Sequence, residues 1–358
     1  VGELANIAGL SRNYFVDLFS KTYGQGAIGY LNDLRIAQAK RYLAEGGYRL
    51  KEIARLVGYS DEFYFSRKFK KEVGVSPSAY INKPPCKWAA CSPSIMGQLL
   101  PLGIMPFAAP LDPKWTPYYY NEHKEAVAYH MPFGCKMSDS ELARLARMHL
   151  DGIIGYERMA GEQKSCLQQL APSFFVNELD PWQLQLRQIA DFAGAEREAE
   201  TWLRRHEEKL DQVRKSLSKK EFQESFLVLR VYRKQLYAYC NRSIRELLYD
   251  KLQLTQVFES SGVYNRPLTV RQLAAINPDR LLVLVCPETE SRMYWLALQH
   301  QREWKGLASV ASGRMHPIPS DPWCQYSASA IDRMLDELQL LVTGFCPNEM
   351  MNLSHGEA

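Results

Sequence analysis

Residues 49–81 read RLKEIARLVGYSDEFYFSRKFKKEVGVSPSAYI, and the spacing of their apolar side chains decides the first fold. Leu50, Ile53, Ala54 and Val57 recur at intervals of three and four, which lays one apolar stripe along a short helix. Gly58 then has the backbone freedom to turn the chain. Ser60 or Asp61 can cap a second helix by accepting a backbone N–H. On that second helix Phe65 and Phe69 face inward, which leaves Glu62, Phe63, Ser66, Arg67 and Lys70 to a groove of double-stranded DNA. Two short amphipathic helices are by themselves more often plain core, so the weight falls on repetition.

The repeat lies upstream. In residues 3–11, ELANIAGLS, the side chains Glu3, Leu4, Ala5, Gly9 and Ser11 match Glu52, Ile53, Ala54, Gly58 and Ser60, each 49 positions on. After one inserted residue the offset is 50, and Tyr14, Phe15, Phe19, Lys21, Gly24 and Tyr30 fall on Tyr64, Phe65, Phe69, Lys71, Gly74 and Tyr80. A duplicated helix-turn-helix of this kind resembles the DNA-binding domain of the AraC/XylS family of transcription activators, over residues 1–82. The resemblance implies base-reading positions at Asn13, Val16 and Asp17 in the first unit and at Glu62, Phe63 and Arg67 in the second. Asp17 and Glu62 are awkward there, because a carboxylate in the major groove is useful only as an acceptor from cytosine. Arg67, able to pair bidentately with guanine, is the strongest single candidate. Without the helix that normally covers the first unit, the chain reads as a piece of a longer protein.

Between the units, Gly26–Glu45 reads as one helix with Tyr30, Leu34 and Ala37 on a common face and Gly46-Gly47 as its stop. About 20 residues at roughly 1.5 Å each make a rod of about 30 Å. That is close to the roughly 34 Å between successive major grooves on one face of a duplex, so one chain can reach two adjacent grooves. Charge agrees: residues 1–83 hold 13 Lys and Arg against 8 Asp and Glu, leaving 31 against 32 elsewhere, so the net +4 comes from the front of the chain. Arg12, Lys21, Lys68, Lys70 and Lys71 are assigned to phosphates.

A length of 358 residues suggests two or three domains. No apolar run of about 18 residues and no basic-then-apolar leader is present, which reads as a cytoplasmic protein with no membrane partner. Eight cysteines without a CxxC pair argue against a zinc site and for thiols in a reducing compartment. The seven histidines show no HxxxH or HExxH spacing. Residues 24–29, GQGAIG, match GxGxxG literally but follow a helix rather than a strand, so no nucleotide site is inferred. No nucleophile elbow or paired-carboxylate motif stands out, and no enzyme is expected.

Residues 83–86, with Pro84-Pro85, read as a stiff linker. Beyond it, β-then-α alternation (Lys87–Ala90, Ile95–Leu102, a strand after Gly103–Pro106, Glu141–His149, Gly152–Gly155, Glu162–Leu170, Ser173–Val176) implies a mostly parallel sheet in residues 87–180. Pro181–Ala193 and Glu196–Leu217 read as a helical strut carrying Trp202, Leu203, His206, Leu210, Val213 and Leu217 on one side. The alternation resumes in residues 222–345, and the tail 346–358 reads as disordered. The fold class is thus multidomain: an all-α double helix-turn-helix domain, then a two-lobed α/β domain with a long interlobe helix. The second part, with Cys91-Ser92-Pro93-Ser94, Leu145–Gly155, Asn277–Leu281 and Ser320–Trp323, resembles the periplasmic binding proteins that take ferric siderophores, haem or cobalamin.

Ligands of open α/β sheets bind beyond the carboxyl ends of the strands. That rule selects Ser92, Pro93, Ser94, Lys114, Trp115, Tyr156, Glu157 and Arg158 in the first lobe, and Arg230, Tyr232, Tyr239, Arg242, Arg292 and Trp323 in the second. Guanidinium groups and aromatic rings suit a bulky aromatic anion such as a ferric catecholate. Arg230 ends the apolar run LVLRVY and needs a partner there, a neighbouring carboxylate being the plain alternative to a ligand. Tyr118-Tyr119-Tyr120 either stack on ligand or pack a loop. The combined resemblances imply an AraC-type activator that senses a ferric siderophore of the bacillibactin type, engages RNA polymerase and controls siderophore-uptake genes. A sensor of haem or a corrinoid, or a substrate-binding component of iron-chelate uptake, are the alternatives.

Overall fold

The computed structural model describes residues 2–23, 26–45, 47–73, 76–82, 86–133, 137–217, 224–257 and 264–343. Pro84-Pro85 and the tail 346–358 lie outside them, as do Gly46 and the side chains of Lys21 and Ala37. The chain divides into two compact units, Val1–Cys86 and Lys87–Cys346.

The first unit is helical: α1 (Gly2–Ile7), α2 (Arg12–Tyr23), α3 (Ala27–Glu45), α4 (Leu50–Leu56), α5 (Glu62–Val73) and α6 (Pro77–Asn82). The sequence repeat is a repeat of geometry. Gly9 and Gly58 turn the chain at φ +66° and +85°, values that only glycine adopts at little cost. The pair Phe15 and Phe19 lies at 5.5 Å between ring centroids, with Tyr30 5.6 Å from Phe19. Fifty positions on, Phe65 and Phe69 lie at 5.7 Å, with Tyr80 5.6 Å from Phe69. On α3 the packed stripe is Ile36, Ala39 and Leu43, which meets Ile53, Ala54, Phe65 and Phe69. Leu34, expected on the buried face, is 53% exposed. That stripe lies on nearly the opposite side of the helix from Tyr30 and Leu34: the second helix-turn-helix supplies a closed core and recruits the stripe that faces it, while Tyr30 packs on Phe19 of the first.

The second unit contains two sheets. Strands β1 (Trp88–Ala90), β2 (Ala108–Pro110), β3 (Tyr129–Met131), β4 (Gly152–Tyr156) and β5 (Ser173–Val176) form the first, in the order β3-β2-β1-β4-β5. All its pairs are parallel. Short helices connect the strands, among them α7 (Pro93–Leu99), α8 (Pro117–His123), α9 (Asp139–Ala146) and α10 (Gly161–Leu170). Then come α11 (Trp182–Ala193) and the strut α12 (Glu196–Ser216), whose 21 residues span about 31 Å. His206, Leu210 and Val213 bury the inner face of α12.

The second sheet departs from the expected alternation. Strands β6 (Ser225–Tyr232), β7 (Gln235–Tyr239), β8 (Thr255–Gln256), β9 (Asn265–Leu268), β10 (Arg280–Val285) and β11 (Met315–Ile318) assemble as β11-β10-β6-β7-β9, with β8 beside β6. Strands β11, β10 and β6 are parallel, whereas β7 runs antiparallel to both its neighbours, β6 and β9. The antiparallel turn follows from chain length: Arg233-Lys234 joins β6 to β7 directly, and Arg233 takes φ +52°, whereas a parallel return needs a crossover of a dozen residues or more. One apolar cluster runs from Trp88 and Ile95 through Leu186, Leu210 and Val213 to Phe226, Val228 and Leu282, so the connecting helices share the core of both sheets. The opposite face of β6 and β10, with Leu229, Val231 and Val283, packs on Trp304 and Leu298.

Candidate functional site

Parallel strands bring their carboxyl ends to one edge, and the order of the first sheet reverses between β1 and β4. That reversal opens a crevice above the sheet. Strand β1 leads into Ser92, whose Oγ accepts from Ile95 N at 3.1 Å and caps α7, with Pro93 in the first turn. Strand β4 ends on Tyr156, buried beside Ser92 and Ser94. Burial pushes that phenol above its ordinary value of 10, and the two serines pull the other way. Arg158, exposed, lies over the Tyr156 ring at 5.4 Å and pairs with Glu178 Oε1 at 3.3 Å. After β2, Asp112 Oδ1 accepts from the backbone N–H groups of Lys114 and Trp115 at 2.8 and 2.7 Å. Lys114 Nζ sits 5.8 Å from the Trp115 ring, which stacks on Phe133 at 6.4 Å. Ser92, Pro93, Ser94, Tyr156, Glu157 and Arg158 therefore share one edge with Lys114 and Trp115.

On the second sheet Arg230 stands opposite Leu284 of β10, on the face that carries Val228 and Tyr232. Its Nε donates to Cys286 Sγ at 3.1 Å, and its guanidinium carbon lies 5.1 and 5.3 Å from the Tyr232 and Tyr239 rings. No ion pair joins Arg230 to a carboxylate among the described residues, so the partner the sequence demanded is a thiol and two rings. Tyr239 is 6% exposed; its hydroxyl accepts from Asn241 Nδ2 at 3.0 Å and donates to Cys324 Sγ at 3.8 Å. Arg242 packs over the Tyr326 ring at 4.4 Å and donates to the Glu178 carbonyl at 3.1 Å.

Two of the selected positions stand apart. Trp323 is fully buried, with its Nε1 donating to Glu337 Oε2 at 2.6 Å, so its indole belongs to the core and lines no opening. The strand-end rule selected it because it follows β11. Arg292 is exposed on the helix Thr289–Gln299, and no described contact joins it to the Arg230 group. Tyr118 takes the packing role: Arg333, held by Asp321 at 2.9 Å, lies 3.5 Å over its ring. Glu178, which contacts both Arg158 and Arg242, went unselected; the visible signal was an acid two residues past the apolar strand β5. A separate groove of about 360 Å³ lies against α11 and α12, lined by Trp182, Arg187, Leu203, His206 and Glu246 among others.

In the first unit the reading helices are capped by Ser11, which accepts from Tyr14 N at 3.4 Å, and by Asp61, which accepts from Tyr64 N at 2.6 Å. Asp61 rather than Ser60 is thus the cap, and Ser11 is its counterpart one unit earlier. Phe65 and Phe69 are fully buried, whereas Phe63 is 71% and Val16 40% exposed. Arg12, Asn13, Asp17, Arg67, Lys70 and Lys71 are exposed as well, with Glu62 and Ser66 at intermediate depth. Lys68 is engaged by Glu72 at 3.0 Å, one helical turn on, which competes with the phosphate role read from the sequence.

Comparison with known proteins decides the family. A family profile described as a helix-turn-helix domain matches residues 4–83, and one described as a periplasmic binding protein matches residues 144–322. The HTH-type transcriptional activator Btr of Bacillus subtilis is 31% identical over 350 residues, covering 97% of this chain and 66% of that protein. The chain belongs to the family that joins an AraC-type helix-turn-helix domain to a periplasmic-binding-protein domain. This AraC-type chain spans about two thirds of the Bacillus activator's length. A putative AraC-like transcription regulator of Streptomyces lividans is 40% identical over 84 residues, 24% of this chain and 28% of that one. Among solved structures, the FhuD fold-family component of a Fep/Fec-like ferrichrome transporter from B. subtilis superposes at TM-score 0.61, with 18% identity over 73% of this chain and 98% of that one. The triscatecholate siderophore binding protein FeuA of B. subtilis, solved with ferri-bacillibactin, gives 0.59, with 18% identity over 73% and 94%. These structural likenesses establish the fold of the second unit. No helix among the described residues is long and apolar enough to cross a membrane.

Proposed function

We propose that this chain is a cytoplasmic transcription activator whose binding-protein unit senses a ferric siderophore of the catecholate class and whose helix-turn-helix unit engages the promoters of siderophore-uptake genes. The observation that carries the reading is Arg230: a half-buried guanidinium near the carboxyl end of the central strand β6, flanked by the Tyr232 and Tyr239 rings and with no ion-paired carboxylate among the described residues. Such a group suits an aromatic anion, which supplies both the missing charge and a face to stack on. Arg158 sets a second guanidinium over a ring, Tyr156, on the first sheet, where Glu178 pairs with it.

The chemistry is recognition only. A chelate that binds better when the two sheet edges are close shifts that equilibrium, and only the difference in affinity is available to change DNA engagement and contact with RNA polymerase. The name of the Bacillus relative, an activator, supports the sign, and the ferri-bacillibactin complex of FeuA supports the ligand class. The test is tryptophan-fluorescence titration with iron-loaded and iron-free catecholates, with haem and a corrinoid in parallel, repeated on Arg230→Ala. Quenching by the ferric catecholate that Arg230→Ala loses by about tenfold or more is the expected result. Indifference to ferric catecholate removes that effector, and quenching by haem or a corrinoid in its place assigns the other.

A further inference from the structure

Two arginines selected independently from the two sheets meet at one acid that was not selected. Arg158, beyond β4, pairs through Nε with Glu178 Oε1 at 3.3 Å. Arg242, beyond β7, donates to the backbone carbonyl of the same Glu178 at 3.1 Å while its plane rests on Tyr326. The Glu178 carboxylate is half satisfied: its Oε2 is buried and has no hydrogen-bond partner among the described residues. The Arg158 side chain is 61% exposed against 29% for Glu178, and one such contact in partial solvent contributes little. This is a poor structural salt bridge and a good temporary one.

We propose that Glu178 is the resident counter-anion of the ligand edge, which an incoming anionic chelate must displace from Arg158. The inference rests on the reading that this edge binds a ferric catecholate. A tris-catecholate of Fe³⁺ carries several negative charges and presents many acceptor oxygens, so it offers the guanidinium more than one carboxylate does. A neutral ferric hydroxamate offers too little charge to replace Glu178 and leaves the pair in place. The displaced carboxylate is then repelled by the bound anion, which sets a charge threshold for occupancy.

The test compares wild type, Glu178→Gln and the double variant Arg158→Ala/Glu178→Gln, by fluorescence titration with a ferric tris-catecholate and a neutral ferric hydroxamate, and by thermal shift in sulfate. Glu178→Gln is expected to tighten the catecholate by about tenfold, to move the hydroxamate by less than about twofold, and to gain stabilisation from sulfate. The double variant loses these gains. A catecholate affinity that is unchanged or weaker in Glu178→Gln overturns the inference while the effector reading stands. If no chelate binds any variant, but sulfate stabilises Glu178→Gln alone, the counter-anion role holds and the effector reading falls. If the sulfate response is also unchanged, both are wrong.

Discussion

Arg230 donates from Nε to Cys286 Sγ at 3.1 Å, and the thiol stands where a carboxylate ordinarily sits beside a half-buried guanidinium. A cation held this way gives up hydration and receives little in return, so it is kept at a cost to the fold. Arg230→Met keeps the length and apolar stem and removes the charge. It is expected to raise stability by about 1 kcal/mol while weakening ferric-catecholate binding by about tenfold or more. Thermal unfolding and titration of the same preparation check both; a loss of stability would make Arg230 a structural residue instead.

The exposed face of α5 allows base readout to be separated from phosphate attraction. Arg67→Ala is expected to cost about 1–3 kcal/mol of specific DNA affinity and to relax preference at one base pair, because a bidentate arginine reads guanine. Lys70→Ala is expected to weaken all duplexes alike and to reduce the salt slope by about one. Lys68→Ala is expected to do less, since Glu72 already holds that ammonium at 3.0 Å. Fluorescence anisotropy on specific and scrambled duplexes at several salt concentrations separates the three.

What the sequence made legible follows from the range of the forces involved. The duplicated helices, Gly58, the strut from Glu196 and the strand Gly152–Tyr156 are written in local spacing, and each is where the pattern put it. Strands of three or four residues such as Tyr129–Met131 and Asn265–Leu268 have too little period to declare themselves, and they exist because a neighbour offers a free edge. The strand-end rule gathered Ser92, Ser94 and Tyr156, because topology decides which ends meet. It failed for Trp323, whose indole finds a half-buried acceptor, Glu337, fourteen residues on. Glu178 carried only the weak signal of an acid just past β5: what singles it out is the convergence of Arg158 on its carboxylate and Arg242 on its backbone carbonyl.

The two turn glycines are equivalent in sequence but differ in surroundings. A Cβ on Gly58 would lie 2.9 Å from the Arg35 guanidinium, which packs at 5.2 Å on the Tyr59 ring, whereas a Cβ on Gly9 meets nothing within 4 Å. Both positions carry positive φ, so alanine at either bears the backbone penalty of about 1 kcal/mol. Gly58→Ala additionally displaces Arg35 from Tyr59, a contact worth about 0.5–1 kcal/mol. Urea unfolding is therefore expected to rank Gly58→Ala below Gly9→Ala, and Arg35→Ala to narrow the gap. Equal losses would show that the turn conformation alone sets the requirement for glycine.

Glu337 gives the second unit a pH dependence of known sign. Burial pushes its carboxyl from the ordinary 4.5 up to about 7, although the Trp323 Nε1 donor at 2.6 Å and the Arg333 charge both favour ionisation. Asp321 and Asp336 add to the upward push. In the unfolded chain the group ionises near 4.5, so the folded state holds the proton that the unfolded state releases. Its favourable contribution is complete below about pH 4.5 and is lost as pH rises through about 7, a change of at most about 3 kcal/mol. Glu337→Gln keeps an acceptor for Trp323 and has no proton to lose. The variant is expected to match wild type near pH 5 and to exceed it in chemical unfolding at pH 8, with the gap opening between those values. A gap that is the same at both pH values would mean that Glu337 stays ionised in the fold, and that Trp323 and Arg333 outweigh the burial.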